Sequence, residues 1–318
     1  MLSRKTATIA AATGVLTALT VALQARAAER RHPPRGRLID IDGVKLHVLE
    51  RGTGVPILYL HGNEAMIQEV QATGLVRTLA QRHRVIVPDR PGFGHSSRPR
   101  GVEWTPERQA RLLGRTLERL ESDPAIVIGH SWGTLVAIAL ALERPDLVRG
   151  LVLVSGVYFP EPRADYLLAA PALPVIGDLM RYTISPLIGW AVSERMIAKV
   201  FAPNEPTERF KQEYPIAMAL RPRQIKAMAD EIAMINPATG RLCRRYGELQ
   251  VPVALLAGRD DQIIDPSQSE RLAEAIPQST LRVMAGVGHM LPHIAPEAVT
   301  SALDNFMPAG PQPVPFVH

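Results

Sequence analysis

The sequence predicts an α/β protein in which a mostly parallel central sheet carries helices on both faces and an inserted helical cap. Three observations lead there. Apolar runs at 55–60, 124–128 and 251–257, with a largely apolar stretch at 148–154, suit strands covered on both faces. Helical patterns alternate with the strand patterns, so the chain reads as βαβ units, whose right-handed crossovers build a parallel sheet flanked by helices. Over 156–247 the alternation stops: no strand pattern occurs, while Ile225, Met228, Ile232 and Ile235, like Ile197, Val200 and Phe201, hold helical spacing.

Taken in order, 38–41 and 44–49 alternate apolar and polar residues around Asp42-Gly43, which is a hairpin signal. The run 55–60 ends in His61-Gly62-Asn63-Glu64, and a helix is expected over 66–81. A strand over 84–87 closes in Pro88-Asp89-Arg90-Pro91-Gly92-Phe93-Gly94, whose proline and glycine density marks a structured loop. Thr105-Pro106-Glu107 supplies a cap residue and a proline at the first position of a helix reaching about residue 121. A helix over 135–142 links the strands 124–128 and 148–154. In the insert, Tyr158, Phe159, Tyr166, Met180, Tyr182, Trp190 and Met196 are expected mostly to pack it onto the body, the rest being free to line an apolar pocket. The parallel pattern returns with 251–257, a helix over 267–275, a short strand over 280–284 and a closing helix over 296–306. The body is thus 38–155 with 248–307, the lid is 156–247, and the proline-dense tail 308–318 is expected to be disordered.

With 318 residues and 46% hydrophobic composition the chain can bury one large core or two modest ones, which excludes disorder for most of its length. The net charge of +5 is local. Arg4, Lys5, Arg26, Arg30, Arg31 and Arg35 stand against Glu29 alone up to Gly36, so the remainder sums to zero and offers no reason to expect a nucleic-acid partner. A single cysteine, Cys243, excludes an intramolecular disulfide and a cysteine-based metal cluster.

The segment 1–27 is apolar between basic flanks, with no charge over 7–23 and a small-x-small pattern at Ala25-Arg26-Ala27. It resembles a signal peptide, yet its uncharged core is near the lower limit of a membrane span, roughly 17 residues. The flank after it is the more basic one, which favours an uncleaved membrane anchor over export after cleavage near Ala27. The stretch 28–37, containing Pro33-Pro34, reads as a linker.

Chemistry in such sheets gathers at the carboxyl ends of strands. The strand 124–128 runs into Gly129-His130-Ser131-Trp132-Gly133, a Gly-x-Ser-x-Gly on a strand-to-helix bend, where a strained backbone would lift the Ser131 hydroxyl clear of the sheet and a Cβ at either glycine would collide with neighbouring chain. Alone, the pattern is short enough to arise by chance. A serine hydroxyl needs an imidazole to take its proton, and the imidazole needs an anion to hold its tautomer. His289 follows the last strand in a Gly-x-Gly-His loop; His293, four residues on, is expected at the surface, and His130 as a packed loop residue. Asp260 and Asp261 both follow a strand end, and chemistry does not separate them, while Asp265 is placed to cap the next helix. An oxyanion hole would use the backbone N–H of Trp132 and one from the loop after 55–60, for which Asn63 is the candidate.

His61-Gly62, Asp89-Arg90-Pro91-Gly92-Phe93-Gly94-His95-Ser96, Gly129-His130-Ser131-Trp132-Gly133, Gly258-Arg259-Asp260-Asp261 and Gly288-His289 together resemble an α/β-hydrolase fold protein over about 38–307. The resemblance implies a catalytic triad of Ser131, Asp261 and His289, since in the family's pattern the acid stands three residues after the glycine. It implies a helical lid over 156–247, and no cofactor or metal. Glu64 and Ala65 depart from the commoner glycine-containing version of the oxyanion loop, and Thr134 replaces a glycine often found after the elbow. The expected activity is that of a serine hydrolase working through an acyl-enzyme on a small apolar carboxylic ester. A lactone, an amide or a carbon–carbon bond beside a ketone is open to the same triad, and a catalytically idle binding protein is the rival class.

Overall fold

The computed structural model describes residues 4–162 and 165–306. Its strands are β1 (Arg37–Ile41), β2 (Val44–Arg51), β3 (Val55–Leu60), β4 (His83–Pro88), β5 (Ala125–His130), β6 (Val148–Val154), β7 (Val253–Gly258) and β8 (Thr280–Met284). They form one sheet in the order β1-β2-β4-β3-β5-β6-β7-β8. The hairpin β1–β2 pairs antiparallel, as does β2 with β4; every other neighbouring pair is parallel. The fold class expected from sequence is therefore the one observed.

The central strands have no solvent face because each alternates between two apolar layers. Leu58, Leu60 and Val127 enter one buried cluster and Ile57, Tyr59, Ile126 and Ile128 the other, following the period of two that a strand imposes. The helix Gly133–Glu143 lies in the middle of the first layer. Every residue from Gly133 to Ala141 is buried, which explains why this helix is apolar all round instead of amphipathic.

The order of the strands also places the chemistry. From β3 the chain passes to β4 on one side and then to β5 on the other, so β3 and β5 flank the point where the winding reverses, with Leu60 in register with Gly129. A crevice opens at the carboxyl ends of strands at such a point.

Two expectations on secondary structure are revised. The helix over 66–81 is split into Ile67–Ala72 and Leu75–Leu79, because Gly74 between them takes φ +84°, a conformation a continuing right-handed helix does not use. The N-terminal helix runs from Arg4 to Arg31, into the segment read as linker, and packs through Val21 and the fully buried Ala28. Among the described residues no helix is long and apolar enough to cross a membrane, so the expected anchor over 7–23 finds no support as a span. The tail 308–318 lies outside the described residues.

Between β6 and β7 no strand occurs among the described residues. This stretch holds the helices Ile176–Tyr182, Ile184–Phe201, Glu208–Glu213, Ile216–Ala219 and Pro222–Leu242, with 3-10 turns Asp165–Ala172 and Cys243–Glu248 at its ends. The face of Pro222–Leu242 that carries Ile225, Ile232 and Ile235 is buried, as helical spacing predicts. The expectation that most of the insert's large side chains pack inward is only partly met. Tyr158 is buried, whereas Tyr182, Trp190 and Met196 stand exposed, because the helices Ile176–Tyr182 and Ile184–Phe201 rest on the rest of the lid through few side chains.

Candidate active site

The bend after β5 is tight. Ser131 adopts φ +52°, a left-handed conformation that costs a side-chain-bearing residue roughly 1–2 kcal/mol, and its N–H is held by the Val154 carbonyl at 2.9 Å. The glycines two residues either side are required by space. A Cβ on Gly129 would stand 2.8 Å from the Gly133 carbonyl oxygen, and one on Gly133 would stand 2.2 Å from that of Leu60. Thr134, whose hydroxyl donates to the Ser131 carbonyl at 2.6 Å, braces the start of the helix.

Three side chains from separate strand ends meet here. His289 Nε2 lies 3.1 Å from Ser131 Oγ, and His289 Nδ1 lies 2.8 Å from Asp261 Oδ2. Asp261 Oδ1 accepts the amides of Ile263 and Ile264 at 2.8 and 2.9 Å, so both oxygens of this buried carboxylate are held. Asp260 points elsewhere, its Oδ2 accepting the Gly286 amide at 2.7 Å. Asp265 accepts the Ser267 amide at 2.9 Å at the head of the helix Ser267–Ala275, and those hydrogen bonds hold its carboxyl below the usual range. An imidazole between a hydroxyl and an ionised carboxylate can take the hydroxyl's proton and stay charged while it does so.

Two further histidines weighed from sequence are His130 and His293. His130 is buried, as expected for a packed loop residue, and its Nε2 lies 3.0 Å from the His289 carbonyl oxygen; burial, with the charge of His289 beside it, pushes its pKa down to about 4. The expectation of a surface position for His293 is wrong. Its side chain is inaccessible to solvent, with Nε2 2.7 Å from Glu69 Oε1, because the turn after His289 folds inward against the helix Ile67–Ala72. Burial would raise the Glu69 carboxyl, but the hydrogen bond and charge of His293 outweigh it and hold the group below its ordinary value.

The loop after β3 is shaped largely by the lid. Asn63 sits beside the serine elbow: a Cβ on the preceding Gly62 would stand 3.1 Å from Ser131 Cβ. Asn63 Oδ1 accepts the Glu64 amide at 2.9 Å, and Asn63 Nδ2 donates to the Met228 carbonyl of the lid helix Pro222–Leu242 at 3.3 Å. Glu64, where the commoner loop carries glycine, takes φ +60°, and its carbonyl is held by the Tyr214 hydroxyl at 2.8 Å and by Gln224 Nε2 at 3.2 Å. Lid hydrogen bonds thus retain a backbone conformation that glycine would adopt freely.

Underneath lies Arg90, which sequence reasoning did not single out. Its guanidinium is buried and donates to the carbonyls of His61 and Gly62 at 2.9 and 2.8 Å, to Gln109 Oε1 at 3.0 Å, and to both carboxylate oxygens of Glu231. The Arg90 amide donates to His61 Nε2 at 3.0 Å, and burial, aided by the Arg90 charge, lowers the His61 pKa to about 4. The available signal was Glu231, an acid next to the apolar Ile232 and at helical spacing from the apolar Met228 and Ile235, beside an Asp230 that pairs with Arg98 and Lys226. The preceding Asp89 organises the same loop. Its carboxylate accepts the amides of Ile67 and His95 at 2.8 Å each and lies 2.6 Å from His47 Nδ1. Among the described residues no group of three His, Cys, Asp or Glu side chains is arranged to hold a metal ion.

Comparison with known proteins agrees with this architecture. A profile of the family described as alpha/beta hydrolase fold matches residues 55–296. Haloalkane dehalogenase 2 of Mycobacterium tuberculosis is 27% identical over 282 residues, which cover 86% of this chain and 94% of that protein. The 2-hydroxy-6-oxo-2,4-heptadienoate hydrolase of Pseudomonas putida is 28% identical over 261 residues, covering 80% and 89%. A solved structure of a thermophilic esterase from Thermogutta terrifontis aligns with a TM-score of 0.66 at 26% identity, covering 85% of this chain and 95% of that one.

Proposed function

The chain belongs to the α/β-hydrolase fold family, and from that premise we propose that it is a serine hydrolase that cleaves a carboxylic ester with an apolar acyl group. The observation that carries this reading is the hydrogen-bonded series Ser131–His289–Asp261, with 3.1 and 2.8 Å between its members. Ser131 Oγ attacks the acyl carbon while His289 Nε2 takes the proton. The N–H groups of Asn63 and Trp132 hold the oxyanion, and His289 returns the proton to the departing alcohol. Water, deprotonated in turn by His289, then attacks the acyl-enzyme carbonyl, and as the acid leaves His289 returns that proton to Ser131 Oγ. Asp261 keeps His289 Nδ1 protonated and stabilises the imidazolium.

The nucleophile argues against the reaction of the dehalogenase relative. Displacement of halide by a serine oxygen would leave an alkyl ether, which has no carbonyl for water to attack, so the enzyme would stop after one turnover. An acyl-serine has that carbonyl. The state of Arg90 supports an apolar substrate over one carrying a carboxylate: all five of its N–H groups face protein acceptors, which leaves none for a substrate anion.

The test is a panel of p-nitrophenyl esters of increasing acyl length, with the intact protein and Ser131→Ala. Turnover that rises from short to medium acyl chains and vanishes in Ser131→Ala is the expected result. Folded protein that neither turns over any ester nor is labelled by a fluorophosphonate would overturn the hydrolase reading.

A further inference from the structure

We infer that the face shared by the N-terminal helix and the lid helix Ile184–Phe201 docks this protein onto the surface of a lipid bilayer bearing anionic headgroups. The first observation is where the apolar surface lies. Of the 18 large hydrophobic side chains that remain exposed among the described residues, all but Leu38 fall within 15–23 or 167–196. Scattered exposed leucines are ordinary, but a concentration of this kind marks a surface that meets something apolar. The two segments adjoin, because Val21 and Ala25 of the N-terminal helix line one cleft together with Pro186 and Trp190 of the lid helix.

The second observation is a shared charge pattern. On the N-terminal helix Leu16, Leu19, Leu23, Arg26 and Arg30 follow at three- and four-residue steps and are exposed, so one face passes from apolar to basic toward its carboxyl end. Ile184, Ile188, Val192, Arg195 and Lys199 repeat this on the lid helix, also exposed. Of the nearby acids, Glu29 pairs with Arg221 and Asp178 with Arg181, which leaves the exposed Glu194 against the cations Arg26, Arg30, Arg195 and Lys199. Apolar side chains bordered by cations suit the boundary between acyl chains and anionic headgroups. A second copy of the chain would instead bring the same cations together.

A third observation concerns hydroxyls on these helices. Thr17, Thr20, Thr183 and Ser193 donate to the carbonyls of Thr13, Leu16, Leu179 and Trp190 at 2.9, 2.9, 2.6 and 3.0 Å. Their donors are satisfied within the helix although they lie at the surface, as an apolar medium requires. Because no described helix is long and apolar enough to span, the mode is docking on the interface. Docking would set the lid, and the ester site beneath it, against the phase that holds apolar esters.

The experiment is co-sedimentation of the full chain, carrying Ser131→Ala, with phosphatidylcholine vesicles with and without phosphatidylglycerol. The hydroxyl is irrelevant to docking, so failure here is distinct from failure of the hydrolase reading. Binding is expected, tightened by phosphatidylglycerol and weakened by salt. Leu16→Glu with Leu19→Glu, and separately Ile188→Glu with Val192→Glu, should each lower partitioning about tenfold or more. Neutralising Arg26 and Arg30 with glutamine should lower the phosphatidylglycerol-dependent part roughly fivefold per charge. Circular dichroism should not change, since every substituted side chain is exposed. Absence of vesicle binding, binding indifferent to the lid pair, or a dimer in vesicle-free solution that the same substitutions dissociate would each overturn the proposal.

Discussion

Glu231 of the lid helix holds Arg90 through both carboxylate oxygens, with neither side chain accessible to solvent, and Arg90 in turn holds the carbonyls of His61 and Gly62. The lid is therefore tied by a buried ion pair to the backbone that precedes the proposed oxyanion donor Asn63. Uncoupling one partner of such a pair leaves a buried charge without its counterion, which commonly costs about 3–5 kcal/mol. Glu231→Gln keeps the shape and removes the charge. The variant is expected to melt several degrees lower and to lose kcat on esters with KM little changed, because the loop that would bind the transition state loosens while the rest of the site stays. Scanning calorimetry and steady-state kinetics check this, and an unchanged kcat would detach Arg90 from the oxyanion loop.

Asp260 and Asp261 are adjacent, yet they should respond differently to the same substitution. Asp261→Asn removes the anion 2.8 Å from His289 Nδ1 and is expected to lower kcat by about 10⁴ with modest loss of stability. Asp260→Asn weakens one hydrogen bond to the Gly286 amide, worth about 1 kcal/mol, and should retain most of the activity. Equal losses in the two variants would contradict the geometry.

The backbone at Ser131 makes a stability prediction that is independent of catalysis. Both Ser131→Ala and Ser131→Gly remove the hydroxyl, but only glycine relaxes at φ +52°. Ser131→Gly should be the more stable of the two by about 1 kcal/mol, read as the difference in urea midpoints at equal slope.

Acid should destabilise the fold before the carboxylates titrate. His61 and His130 are buried and neutral, each with its pKa lowered from 6.5 to about 4. Between those two values the unfolded chain binds the more protons, so stability rises with pH there. Their contribution is complete above about pH 6.5 and is lost as the pH falls toward 4, at most about 3 kcal/mol for each histidine. Melting temperatures measured from pH 7.5 to 4.5 should fall steadily; a flat profile would mean that neither imidazole is held neutral.

The sequence was read correctly wherever a local pattern was also the physical cause. The apolar runs at 55–60 and 253–258 are strands because two buried faces demand apolar residues on both sides, and Thr105 caps its helix by accepting the Arg108 amide at 3.2 Å, as a threonine before a proline suggests. The glycines around Ser131 were legible because a sharp bend excludes Cβ atoms whatever surrounds it. The split at Gly74 was missed because helical periodicity survives a single left-handed residue, and His293 was misplaced because nothing in its own neighbourhood records Glu69, more than two hundred positions away.

What the sequence determined by itself is the layered α/β architecture, the serine bend and the order of its companions, all of which follow from periodicity, steric exclusion and the chemistry of strand ends. What only the tertiary structure decided is that His293 is buried against Glu69, that a lid glutamate anchors Arg90 beneath the oxyanion loop, and that the lid's outer face remains apolar. Each of these depends on atoms brought together from distant parts of the chain, and burial or a hydrogen bond belongs to such a meeting and not to any residue taken alone.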